Sequence, residues 1–288
     1  MRCTLVVTGI CRPYLLRPQR LAKLAADEEV FGVAYLNEKI YAVCEWSPII
    51  RVYDAKAPYL RQPNIEVEDL QRPRDIAACD KTKRLFVTDF INDCVWEVDV
   101  SVIHVGEKVK SANKLIEGVS LESLSLSADR LLLTPYEGNE LMLYTVEGIH
   151  ITSLKLPVNI TPRHAVETPT GNFILSHFGV GANRSDGVIE IDKNGNEVAA
   201  YDDKGVTGAL QLDWPHHVSV DKEGRIFVAD HNNKRVLLLN SKLQLERVLM
   251  NADCDTLGEP RRLTFVEEMG LLLICEWEQV RVYKMRND

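Results

Sequence analysis

The stretch Trp214–Asn240, WPHHVSVDKEGRIFVADHNNKRVLLLN, decides the fold, because degraded copies of it recur along the whole chain. The same layout appears as VFGVAYLNEKIYAVCEWSPIIRVYD from Val30 and RPRDIAACDKTKRLFVTDFINDCVWEVD from Arg72. It returns as LESLSLSADRLLLTPYEGNELMLY from Leu121, TPRHAVETPTGNFILSHF from Thr161 and EPRRLTFVEEMGLLLICEWEQVRVY from Glu259. With Tyr41, Phe86, Leu132, Ile174, Phe227 and Leu273 as equivalent points, the steps are 45, 46, 42, 53 and 46 residues. A period of about 40 to 50 residues with several short strands per unit marks a propeller blade. Each copy holds apolar runs of strand length separated by turn residues such as Lys222-Glu223-Gly224 and Asn194-Gly195.

Six copies predict an all-β six-bladed propeller of four-stranded antiparallel blades. The expected limits are 30–71, 72–119, 120–160, 161–212, 213–257 and 258–288 plus 1–29, one domain spanning 1–288. The last copy ends at Val280–Met285 without an outer strand, while Thr4–Ile10 is a strand with no partner of its own. The N-terminal strand is therefore expected to join the last blade and close the ring, which removes an exposed edge.

At 45% hydrophobic and 26% charged residues the composition is that of an ordinary globular protein. No apolar run approaches the roughly 20 residues that cross a bilayer, so no membrane association is expected. Seven scattered cysteines without a CxxC pair predict free, buried thiols and a reducing, cytoplasmic setting. MRCTLVVTGIC lacks a cleavage site and is followed by three arginines, Arg12, Arg17 and Arg20, unlike a secretory leader.

The repeat resembles the NHL repeat, in which a Pro, an inner strand and a Gly turn precede an apolar strand with V-x-D-x-x-N-x-R-V. Pro215, Gly224, Val228, Asp230, Asn233, Arg235 and Val236 fit that order. The second copy keeps Pro73, Val87, Asp89, Asn92 and Val95 but has Cys94 in place of the Arg. Copies one and six carry Glu45 and Glu276 for the Asp, copy three Pro135 and copy four His177. The Gly-His and Trp-Asp pairs of WD repeats are missing. Asp89 and Asp230 read as turn staples that accept bonds from loop N–H groups and from the following Asn or Arg.

Function is expected on the face where the chain enters each inner strand, here the leading face. Arg74, Arg163, His164, His216, His217, Arg261 and Arg262 fall there, with Arg184 and His231 on nearby loops. On a chain of net charge −8 this is a local cationic ring. It fits an acidic or phosphorylated peptide, since guanidinium forks suit carboxylate and phosphate. The bland alternative pairs these arginines with Glu45, Asp89, Asp230 and Glu276. GVGANRSD, between Phe178 and Gly187, is the longest loop on this side and is expected to form the rim.

The resemblance implies a non-catalytic protein-interaction platform without a cofactor, as for the propellers of tripartite-motif NHL proteins. RNA binding is the alternative, weakened by 34 basic against 42 acidic residues. A metal-dependent lyase or lactonase is a further alternative. Zinc would then use His164, His177 and His217, three imidazoles with one open position. The paired Asn and Asp of lactonase propellers are missing at the inner strand starts, which offer Asp75 and Ser123.

Overall fold

The computed structural model describes residues 16–102, 108–109, 112–180, 185–201 and 210–287. They form six antiparallel sheets arranged as a propeller, with one short helix (Ala252–Asp255) and one 3-10 turn (Glu267–Met269). Among these residues no helix is long and apolar enough to cross a membrane.

Blade one runs Val30–Leu36, Lys39–Cys44, Ile49–Asp54 and Arg61–Val67, with Lys108–Val109 added in parallel at its outer edge. Blade two runs Pro73–Cys79, Arg84–Asp89, Cys94–Asp99 and Asn113–Glu117. Blade three comprises Leu121–Ser127, Arg130–Pro135, Glu140–Thr145 and His150–Lys155. Blade four comprises Ile160–Glu167, Phe173–Gly179, Gly187–Ile191 and Glu197–Ala200. Blade five holds Pro215–Val220, Ile226–Asp230, Arg235–Leu239 and Leu245–Asn251. Blade six has Arg262–Val266, Leu271–Glu276 and Gln279–Asn287, and its outer strand is Leu16–Ala25, antiparallel to Gln279–Asn287. Thr4–Ile10, expected in that position, lies outside the described residues.

Each second strand is an apolar run because it is covered on both faces by neighbouring blades. Ile226–Asp230 and Leu271–Glu276 are buried throughout, including their terminal carboxylates. The core is accordingly a set of inter-blade layers. Blades six and one share one such layer, in which Leu271, Leu273 and Val282 pack with Val33, Ile40 and Ala42. Gly32 sits in the contact between blades one and two. A Cβ there would lie 2.9 Å from the Ile76 nitrogen and 3.0 Å from the Asp75 Cα, so only glycine permits the approach.

The staple reading has a geometric basis. Asp230 accepts from the Asp213 N–H at 2.9 Å, from the Asn233 amide and from Arg235 Nε at 2.6 Å. It thereby ties the second strand to the segment arriving from the previous blade. Asp89 does the same through the Gln71 and Arg72 N–H groups, and Trp96 Nε1 at 3.0 Å replaces the missing Arg. Glu276 repeats the device with Gly258 N–H, Gln279 and Arg281, so blade six spells the motif E-x-x-Q-x-R. Glu45 does not take this role. In the register of blade one Cys44 faces Val30 as Asp89 faces Pro73, which puts Glu45 one residue further along. Its carboxylate reaches instead to Arg72 Nε of blade two at 2.7 Å.

Candidate functional site

Every inner strand from blade one to blade five has a register shift at its start. The shifts fall between Val30 and Gly32, Pro73 and Asp75, Leu121 and Ser123, Pro162 and His164, and Pro215 and His217. Such a bulge sets two residues against one and re-aims a side chain. It divides the adjacent residues of each copy into two sets. Phe31, Arg74, Glu122, Arg163 and His216 are the bulged members, and Gly32, Asp75, Ser123, His164 and His217 stay in register. In blade six Arg261 precedes the strand and Arg262 opens it opposite Cys275.

The bulged set builds a lattice of guanidinium groups and rings on the leading face. Arg261 lies over Phe31 at 4.6 Å, and Arg74 lies 5.1 Å from Phe31 and 4.8 Å from Phe90. Phe90 meets Tyr136 edge-on at 4.9 Å, and Arg72 covers Trp46 at 4.2 Å. Arg163 sits over Phe178, which stacks on Trp214 at 4.9 Å. At the leading end of the second strand every blade carries an aromatic ring: Trp46, Phe90, Tyr136, Phe178, His231 and Trp277. Trp46 is 62% exposed, Trp277 54%, Tyr136 39% and Trp214 37%, so four large rings of this face remain in contact with solvent.

Most of the arginines expected to receive an acidic ligand already have carboxylates. Arg163 pairs with Glu122 at 2.7 Å and Arg261 with Glu29 at 2.6 Å. Arg262 lies 3.6 Å from Asp75 and 3.5 Å from Glu122. These arginines are paired, as the bland alternative holds, but with Glu29, Glu122 and Asp75 in place of Glu45, Asp89, Asp230 and Glu276. Arg74 has no carboxylate within ion-pair distance among the described residues, and burial pulls its pKa down. His216 and His231 have ring centroids 4.6 Å apart under Trp214, and burial holds the His216 pKa well below the ordinary histidine value. Arg184 lies outside the described residues, as do residues 181–184 of the blade-four loop. Asp186 anchors the end of that loop by accepting from the Gly179 and Trp214 N–H groups.

The in-register set lies deeper. Arg262 reaches across the ring axis from blade six to donate to the Glu122 carbonyl of blade three at 3.0 Å. It thereby closes the channel toward the leading face. Beyond it, a cavity of about 600 Å³ runs along the inner strands and opens on the opposite, trailing face between Ala128, Pro169, Lys222 and Glu268. Asp75, His164 and His217 form its floor. Neither Arg74, Arg163, His216, Arg261 nor Arg262 lines it.

Asp75 accepts from Ile76 N–H at 3.0 Å and from Leu124 N–H of blade three at 3.2 Å. Burial nevertheless pushes its pKa up to about 7, against the pull of Arg262. The His164 and His217 rings stack at 3.5 Å, and His217 Nε2 stands 3.8 Å from Asp75. Burial keeps both imidazoles neutral, with pKa values well below the ordinary one. His177, grouped with them by sequence, is elsewhere. It pairs with Pro162 and Gly187 within blade four, and Asp75 takes the third place beside the two histidines. The carboxylate was legible in the sequence only as one of two polar residues at an inner strand start.

A family model for the NHL repeat matches residues 212–237. No curated protein sequence matches the chain significantly. Among solved structures, it is similar to the WD40 β-propeller domain of Doa1, with a TM-score of 0.66 at 12% identity over 93% of this chain and 97% of that one. It is also similar to hydrazine synthase of Kuenenia stuttgartiensis, with a TM-score of 0.65 at 12% identity over 90% of this chain and 84% of that one. At that identity both likenesses concern the fold alone, consistent with a chain that lacks the WD pattern. The protein is a six-bladed β-propeller that carries an NHL repeat in its fifth blade.

Proposed function

We propose that the chain is a protein-interaction platform whose partner docks on the leading face. One observation carries this reading: the four exposed rings Trp46, Tyr136, Trp214 and Trp277 stand together on one face of the ring. Large rings backed by guanidinium groups bury much area at little entropic cost, and Trp, Tyr and Arg dominate the energetics of protein interfaces. Arg74 is the guanidinium left for a partner's carboxylate or phosphate, which matches an acidic or phosphorylated peptide with an apolar anchor. The arginines already paired act as braces for the rings. Cys44, Cys79, Cys94 and Cys275 are buried free thiols, and we place the protein in the reducing cytoplasm.

Photo-crosslinking tests the face. A benzoylphenylalanine at position 46, 136 or 277 is expected to capture a polypeptide in cells, and one at position 222 on the trailing face is not. Trp46→Ala with Trp277→Ala should abolish capture from position 136 while leaving the melting temperature unchanged. Capture confined to position 222 refutes the reading. Ribonuclease-sensitive adducts would replace it with RNA binding, for which the same rings serve as stacking platforms.

A further inference from the structure

We propose that Asp75, His164 and His217 bind a first-row divalent cation of the zinc class at the floor of the trailing-face channel. The three side chains come from blades two, four and five, and their donor atoms lie within 4.8 Å of one another. All three are buried, at 2%, 2% and 7% exposure. Two neutral imidazoles and a carboxylate form a set that suits zinc, cobalt or ferrous iron and leaves at least one coordination position free. That position faces the cavity.

Three further observations support a ligand here over a packed core. Buried His217 Nδ1 has no hydrogen-bond partner, an expense that core histidines ordinarily avoid. The carboxylate holds its place by backbone bonds from Ile76 and Leu124, as oriented metal ligands do. The channel leading to it is lined by Glu167, Asp221, Glu267 and Glu268 against one lysine, Lys222. With Glu167 and Asp221 paired to Arg130 and Arg225, Glu267 and Glu268 leave its mouth net negative, which favours entry of a cation. Arg262 opposes the ion from the closed side. Its 3.6 Å separation from Asp75 is too long for a hydrogen bond, and its short bond goes to the Glu122 carbonyl. The guanidinium thus weakens the site without occupying it.

Cobalt(II) titrated into chelator-treated full-length protein is the probe. The expected result is one saturable equivalent with four- or five-coordinate d–d bands and no thiolate charge-transfer intensity, displaced by one equivalent of zinc. Proton NMR of the unsubstituted cobalt protein should contain two paramagnetically shifted imidazole N–H resonances, a readout that does not depend on any variant folding. His164→Gln and His217→Gln should each lose the bands, whereas His150→Gln and Trp46→Ala keep them and Arg262→Gln tightens binding. The absence of a saturable equivalent, thiolate bands, or fewer than two shifted imidazoles would overturn the proposal. Bands retained in both His164→Gln and His217→Gln would do the same.

Discussion

The Glu276–Arg281 pair offers the sharpest test of how the blades are stapled. Both side chains are almost fully buried, at 2% and 3%, and Arg281 Nε lies 2.6 Å from Glu276 Oε2. Glu276 also holds the Gly258 N–H at 2.9 Å, and the Arg281 guanidinium donates to the Thr256 carbonyl at 2.6 Å. The pair therefore fastens the second and third strands of blade six to the segment arriving from blade five. Glu276→Gln preserves the shape and removes the charge that faces the buried Arg281 guanidinium. Removing one partner of a buried pair costs about 3–5 kcal/mol, whereas replacing both by apolar groups is often close to neutral.

For 288 residues the unfolding entropy is about 600 cal/mol/K, so each kcal/mol lowers the melting temperature by about 1.7 °C. Glu276→Gln is expected to lower it by about 5–8 °C. Glu276→Leu with Arg281→Met should recover more than half of that loss. The exposed pair Lys56–Glu38 serves as a control, and Glu38→Gln should lower the melting temperature far less than Glu276→Gln does. Scanning calorimetry at several scan rates checks all three variants. A Glu276→Gln shift no larger than that of Glu38→Gln would refute the staple argument, since burial would then confer no added dependence.

Three further outcomes follow from the site and its surroundings. Asp75 binds its proton more tightly when folded, with a pKa of about 7 against 3.8 for an unperturbed aspartate, so its stabilising contribution is present at pH 4 and lost as pH rises to 7. In chelator, the stability of Asp75→Asn relative to the wild type should therefore rise by about 3 kcal/mol between those limits, and a flat difference in urea midpoints would refute it. Gly32→Ala should lower the melting temperature by about 2–5 °C, because the Ile76 and Asp75 backbone cannot recede cheaply; an unchanged value means the two blades can part there. The Cys44 and Cys94 thiols, pushed up to about 12 by burial, should resist alkylation at pH 8 until denaturant is added, which mass spectrometry of labelled peptides reads directly.

The fold was legible because repetition is a strong signal: one clear copy at Trp214–Asn240 fixed the strand plan, and weaker copies needed only its spacing. The staples were partly legible. Asp89 and Asp230 follow from their motif, while Glu276 could be found only by aligning Gln279 and Arg281 as well. Glu45 misled, because the shared Cys-Glu-Trp of blades one and six invites an alignment that the register of Val30 against Cys44 breaks by one residue. The outer strand Leu16–Ala25 was hidden for another reason. Its sequence, LRPQRLAKLA, has neither strict alternation nor β-branched residues, and it is held as a strand by pairing with Gln279–Asn287.

The division of the site into two could not be read from composition. Arg74-Asp75, Glu122-Ser123, Arg163-His164 and His216-His217 look like one polar ring at the channel mouth. A bulge at the start of each inner strand sends the first member of each pair to the leading face and keeps the second on the channel wall. In a strand of period two, a one-residue shift is enough to exchange the faces. The cations and aromatic rings thus collect where they meet a large partner. The two neutral imidazoles and the desolvated carboxylate collect at the end of a narrow acidic channel. Arg262, spanning the axis to Glu122, separates the two environments. One short irregularity, repeated from blade one to blade five, therefore gives the ring two chemically distinct ends, and mutations only one residue apart should disable different ones.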